Sequence, residues 1–259
     1  MLTKDTAICI RTTDYSETSQ IVTLFTKING KISAIAKGSK RPKSAFDGPL
    51  EVFSYGNVVF SDSSRERLAT LTEFQQKPAF TCTANNLFAL NCCLFGAELV
   101  NSLTHDYDPH PELFDGFLQF LQNANERRAT SNACPERSRG ERQKALSLLI
   151  LFQLTLLREI GLMPILNACA NCKTQYAIRN TQYEAYFSSS ANGLVCRDCE
   201  ASFPDKIKLS KNAANCLANA KLIAETNKKT LNEIEKILVH HFTEILHHQP
   251  KMAKYVLKS

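Results

Sequence analysis

Two cysteine pairs, Cys169-x-x-Cys172 and Cys196-x-x-Cys199, constrain this chain more than any other feature. A C-x-x-C puts two thiolates on one tight turn, where both reach the same ion. Two such turns close a tetrahedron of sulfurs around a zinc ion at about 2.3 Å each. Four protein ligands leave no position for water or substrate. The expected cofactor is therefore one structural Zn2+, and the pairs fix a small module rather than a hydrolytic centre. The competing reading is four reduced cysteines that bind nothing.

Redox context decides between metal and disulfide. Ten cysteines in 259 residues would suit a disulfide framework in a secreted chain. The start, MLTKDTAICIRTTDY, has neither an apolar core segment nor a small-residue cleavage site. The expectation is a cytoplasmic chain with reduced thiols, in which paired cysteines point to metal. Cys9, Cys82, Cys92, Cys93 and Cys216 fall in apolar patterns and read as small core residues. Cys134 lies in a polar stretch and reads as an exposed thiol. The longest apolar run, Ala145 to Leu157, is interrupted by Ser147, Gln153 and Thr155, too short and mixed to span a bilayer.

The pattern along the chain changes once. Thr6–Arg11, Gln20–Thr26, Lys31–Lys37, Val52–Phe60 and Leu68–Thr72 are short runs rich in β-branched residues, separated by turn signals. Asn29-Gly30 between two such runs predicts a hairpin. Strands this short and this closely spaced suit a small closed barrel such as an OB-fold. From Ala79 the rhythm becomes helical. Helices are predicted over Leu87–Glu98, Pro111–Asn123, Lys144–Gly161, Ser210–Glu225 and Thr230–His247. Lys144–Gly161 is apolar on nearly all sides and predicts the central core helix. Residues 123–144 hold no large apolar side chain and predict a solvated, disordered loop or insertion. The zinc module spans 167–203, with a strand near Tyr183–Ser188 and a turn at Asn192-Gly193. Together these define an α+β multidomain chain: a β-barrel domain over 1–80 and an α-helical domain over 81–259 carrying the inserted four-cysteine zinc finger.

Charge is concentrated rather than large. The formal net charge is +6, which alone implies no anionic partner. Yet Lys27, Lys31, Lys37, Lys40, Arg41 and Lys43 fall within seventeen residues that contain no acid. Four of them crowd the loop KGSKRPKS beside a strand, where cations can follow a phosphate backbone. Tyr15, Phe25 and Phe46 are near enough to offer stacking faces for single strands. The better expectation for the three aromatics is core. Enzyme motifs are missing: there is no Walker loop and no G-x-S-x-G elbow. His110-Pro111-Glu112 formally matches the H-x-E of zinc deaminases, but Ala168 and Val195 stand where the C-x-x-C pairs would need proline. A helix-start Glu beside a loop His explains it better. His240-His241 and His247-His248 lack the i, i+4 spacing of zinc-binding helices.

The segment RTTDYSETSQIVTLFTKINGKISAIAKGSKRPKSAFDGPLEVFS resembles the amino-terminal domain of the RecO family of bacterial recombination mediators. LLREIGLMPILNACANC and YFSSSANGLVCRDC resemble its carboxy-terminal signature, C-x-x-C pairs included. The resemblance implies an N-terminal OB-fold β-barrel followed by an α-helical domain with a zinc finger, and no bond-making chemistry. It implies binding of single- and double-stranded DNA, annealing of complementary strands, and work with RecR. It also implies contact with the tail of single-strand-binding protein and its displacement, so that RecA loads, on the nucleoid. Lys37, Lys40, Arg41 and Lys43 match the family's basic loop; Cys169, Cys172, Cys196 and Cys199 match its zinc positions. Two other readings compete: a zinc-ribbon interaction scaffold that does not touch DNA, and a zinc-dependent nucleic-acid enzyme.

Overall fold

The computed structural model describes residues 2–41, 44–46, 48–61, 68–77, 86–125, 135–175 and 184–257, with backbone only at 125 and 135–139. They form two compact units, one of residues 1–85 and 97–126, the other of 86–96 and 127–259.

In the first unit five strands, β1 (Leu2–Asp14), β2 (Gln20–Thr26), β3 (Gly30–Ala36), β4 (Tyr55–Ser61) and β5 (Ala69–Gln76), close a barrel of the OB type in the order β1-β2-β3-β5-β4. Its longest strand makes closure possible. Leu2–Ile8 of β1 pairs with β4, and Ala7–Asp14 pairs with β2, with a register shift between Cys9 and Arg11. Such a bulge bends one strand so that it serves two neighbours. Burial alternates along β3 and the first half of β2 as the pleat requires, while Leu24, Phe25 and Thr26 at the end of β2 are all buried. Val22, Leu24, Ile32, Ala34, Phe60, Leu71 and Phe74 fill the interior, and Phe46 and Leu50 of the β3–β4 connection join them.

The β2–β3 turn is capped by Asp5. Its carboxylate accepts the backbone N–H groups of Ile28 and Asn29, both at 3.0 Å, and the Asn29 amide at 2.7 Å. Gly30 takes φ 71°, and a Cβ there would stand 2.2 Å from the Asp108 carbonyl oxygen. Helix α2 (Pro111–Asn125) belongs to this unit, laying Phe114 and Phe117 against Phe25 at ring distances of 5.8 and 6.4 Å.

The second unit is built around α3 (Pro135–Glu159), which buries Leu146, Leu149, Ile150, Leu156 and Leu157. It begins earlier than its apolar run. The expected loop at 123–144 is helical through Asn125 and again from Pro135; residues 126–134, with Cys134, lie outside the described residues. Proline fits a first helical turn, and Glu, Arg, Gln and Lys propagate helix without apolar residues. After α3 the chain reverses at Gly161, φ 77°. A sheet of β7 (Gly193–Cys196), β6 (Ala185–Ser188) and β8 (Ile207–Leu209) follows. Helix α4 (Lys211–Ala218) then stops at Asn219, whose side chain caps a 3-10 turn over Ala220–Ala224. Helices α5 (Lys228–Leu246) and α6 (Ala253–Leu257) complete the unit. Helix α5 reaches the β6 segment through His241, whose ring meets Phe187 edge-on at 5.3 Å and Ser189 Oγ at 3.0 Å. Helix α1 (Leu87–Leu103) precedes α2. Among the described residues no helix is long and apolar enough to cross a membrane.

Candidate metal centre and nucleic-acid interface

The four paired cysteines converge. Their sulfurs all lie within 4.8 Å of one another, and Cys172 Sγ and Cys196 Sγ are 3.7 Å apart. A tetrahedron with bonds of about 2.3 Å has edges of about 3.8 Å, so the spacing suits one zinc ion. Local backbone bonds make each turn. Lys173, at φ 62°, donates its N–H to the Cys169 carbonyl, and Cys199 donates to that of Cys196. Cys196 also points its N–H at Cys169 Sγ, 3.4 Å away, where it would steady a metal-bound thiolate.

The thiols differ before a metal equalises them. The Thr174 hydroxyl, 3.2 Å from Cys172 Sγ, favours the thiolate and holds Cys172 down at about 6. Burial, then the surrounding thiols, push Cys196 up to about 12. A dication draws all four into the thiolate form. The donor set therefore fits one zinc ion, which Cys169, Cys172, Cys196 and Cys199 would hold with no position left for water or substrate. His110 is not in this group; its Nε2 lies 3.3 Å from the Asp108 carboxylate, which removes the deaminase-like arrangement.

The six expected DNA-contacting cations are not one cluster. Lys27 and Lys31 stand at the β2–β3 turn, and Lys37, Lys40 and Arg41 follow the far end of β3, roughly 20 Å away along a seven-residue strand. Both residues at the turn have partners inside the first unit. Lys27 Nζ donates to both Asp115 oxygens at 2.8 Å, and that carboxylate raises its pKa. Lys31 Nζ donates to the carbonyls of Asn101 and Thr104 at 2.7 Å, where α1 ends. The side chain of Lys31 is only 12 % exposed.

In the other group, on the rim of the barrel, Lys37 and Arg41 are exposed and Lys40 is half-buried. Ser39 turns inward, fully buried, and donates to Gln20 Oε1 at 2.9 Å, with Lys37 and Arg41 on the outside of the same loop. Gln20 also holds Leu50 through its N–H and its carbonyl, so the connection is anchored at both ends. Further bonds tie the loop to the β1–β2 turn: Lys40 N–H to the Thr18 carbonyl at 3.1 Å, and Gly38 N–H to Ser19 Oγ at 3.2 Å. Lys40 Nζ pairs with Asp14 at 2.6 Å. Lys43 lies outside the described residues. Of the three aromatics near these cations, Phe25 and Phe46 are core, as expected, and Tyr15 is not.

The barrel region and the helical region with its four-cysteine module each match a family model of DNA-recombination proteins. The family model "Recombination protein O N terminal" matches residues 1–79, and "Recombination protein O C terminal" matches residues 84–134 and 139–253. The chain belongs to the RecO family. It is similar to the DNA repair protein RecO of Rhodopirellula baltica, at 34 % identity over 82 % of this chain and 72 % of that protein. The DNA repair protein RecO of Bacillus subtilis is 31 % identical over 84 % of this chain and 76 % of its own length. The namesake in Bacillus pumilus is 29 % identical over 94 % and 89 %. Membership assigns the chain to DNA repair and recombination, in a family of mediators rather than catalysts.

Proposed function

We propose that the chain is a DNA-binding recombination mediator that holds phosphate backbones on the barrel rim through Lys37, Lys40, Arg41 and Lys43. The observation that carries this reading is the loop itself. Buried hydrogen bonds through Ser39 and Gln20 fix its base while Lys37 and Arg41 face solvent. Cations on a rigid strand end contact phosphates irrespective of sequence, which suits both single and double strands. Lys31 contributes less, because its side chain is 12 % exposed and bonded to two carbonyls, while Lys27 is held by Asp115 much as Lys40 is held by Asp14.

In this reading the protein anneals complementary strands and, with RecR, displaces single-strand-binding protein, whose tail it contacts, so that RecA loads. It works in the cytoplasm on the nucleoid. One zinc ion, held by the four cysteines, keeps the module of 167–203 folded and does not react. Family membership supports the partners, and the sulfur geometry supports the metal.

The test is a salt titration of single-strand binding with Lys37, Lys40 and Arg41 replaced together by alanine. Each lost phosphate contact should reduce the log–log slope by about 0.7, and all base sequences should weaken alike. An unchanged slope would move the DNA to another surface and leave the interaction-scaffold reading in its place.

A further inference from the structure

We infer that Tyr15 is a base-stacking platform that gives the barrel rim a preference for single strands. The inference deepens the reading of the rim as the DNA-binding face and rests on it.

Tyr15 is 63 % exposed, on a turn of otherwise polar residues, Asp14 to Ser19. Among the described residues the exposed large aromatics are Tyr15 and Tyr255, and a Lys254 ammonium already lies over the Tyr255 ring. Among the described residues no cation lies over the Tyr15 ring and no group hydrogen-bonds its hydroxyl. The turn does not need the side chain to form. Its backbone closes through the N–H groups of Tyr15 and Ser16, both donating to the Ser19 carbonyl. Position supplies the rest. Tyr15 follows Asp14, which holds Lys40, and Thr18 and Ser19 of the same turn are bonded to the basic loop. The turn that carries this exposed ring is thus bonded through its backbone and Ser19 to the basic loop, with Asp14 and Glu17 as the acids of the same turn.

This pairing of stacking face and backbone charge is how single strands are held without sequence preference. A duplex keeps its base faces stacked on each other, so the ring gains nothing from it except at an end. Charge on the loop serves both nucleic-acid forms; Tyr15 serves the unpaired one.

The test exploits a chain without tryptophan. Tyr15→Trp introduces the sole indole, and its fluorescence should be quenched by a dT 20-mer but not by an abasic 20-mer of equal charge. Tyr15→Ala should weaken dT binding by roughly 5- to 100-fold, with an unchanged salt slope and unchanged affinity for a long duplex. Tyr15→Phe should restore dT binding. Equal quenching by the abasic strand, a Tyr15→Ala variant that binds dT like the parent, or an altered salt slope would each overturn the inference. The companion outcome separates it from the reading beneath. Should the alanine loop variant keep its full slope while Tyr15→Trp is still quenched by dT alone, the stacking role stands and the phosphate-loop reading falls.

Discussion

Asp14 grips Lys40: Oδ1 and Nζ are 2.6 Å apart, with the acid 72 % exposed and the lysine 24 %. A carboxylate at the rim competes with phosphate for the same cation. An exposed pair of this kind contributes about 0.2–1 kcal/mol, so it restrains the lysine without locking it.

Asp14→Asn should therefore raise single-strand affinity about 2- to 5-fold at low salt, by freeing Lys40 and by removing a negative charge from the DNA path. In a Lys40→Ala background the gain should shrink to the part that comes from the lost negative charge alone. Affinity unchanged by Asp14→Asn at low salt would take Lys40 out of the contact set.

Lys31 should behave in the opposite way. Its ammonium satisfies two carbonyls at the end of α1, where a cation also complements the helix dipole. Hydrogen bonds from a charged donor are worth about 1.5–3 kcal/mol, so Lys31→Met should lower unfolding free energy by about that amount. The salt slope of DNA binding should stay at the parent value. A reduced slope with unaltered stability would return Lys31 to the DNA-binding set.

These two lysines mark where sequence stops being informative. The acid-free run of cations was visible at once, but Asp115 lies 88 residues beyond Lys27 and Asn101 lies 70 beyond Lys31. Only the folded barrel unit brings them together. The four-cysteine cluster was legible because each pair is local and its turn is made by its own backbone. Strand β2 was legible to the residue, since a β-branched run ends at the Asn29-Gly30 turn signal. Strand β1 runs past the expected Thr6–Arg11 at both ends, because pairing with β4 and β2 recruits polar Thr3, Lys4, Thr12 and Thr13. The helix expected over Ser210–Glu225 breaks at Asn219, where a side-chain cap competes with the helical ladder. Turn positions of Tyr15 and Phe46 look alike in sequence, and only the barrel decides that one is open and the other core.

Zinc removal should act on stability. The parent protein should carry about one zinc per chain, and Cys196→Ser should carry none that survives dialysis. Loss of one thiolate leaves an incomplete tetrahedron around a module whose fold depends on the ion. The thermal midpoint should fall and should no longer respond to a chelator. A zinc absorption spectrum with three sulfur ligands and one oxygen in the parent would show an open, reactive site instead.

The last prediction concerns the core of the helical unit. Gln153 on α3 donates its amide to Glu235 Oε1 on α5 at 2.9 Å, with Gln153 fully buried and Glu235 1 % exposed. Glu235 Oε2 and Gln153 Oε1 have no partner among the described residues. Burial raises the Glu235 pKa to about 7, against the opposing effect of the Gln153 amide. An acid with a raised folded pKa binds its proton more tightly when folded. Below the unfolded value near 4.3 both states are protonated and the group is neutral to stability. As pH rises from there to about 7, the unfolded chain releases the proton first, and unfolding free energy declines, by about 3 kcal/mol over the window. Glu235→Gln removes the ionisation while keeping the shape. Its stability should match the parent's near pH 4.5 and exceed it by about 3 kcal/mol at pH 8, as read from denaturant midpoints across that range. Parallel curves for the two proteins between pH 5 and 8 would mean that the Glu235 carboxyl is solvated in the folded state.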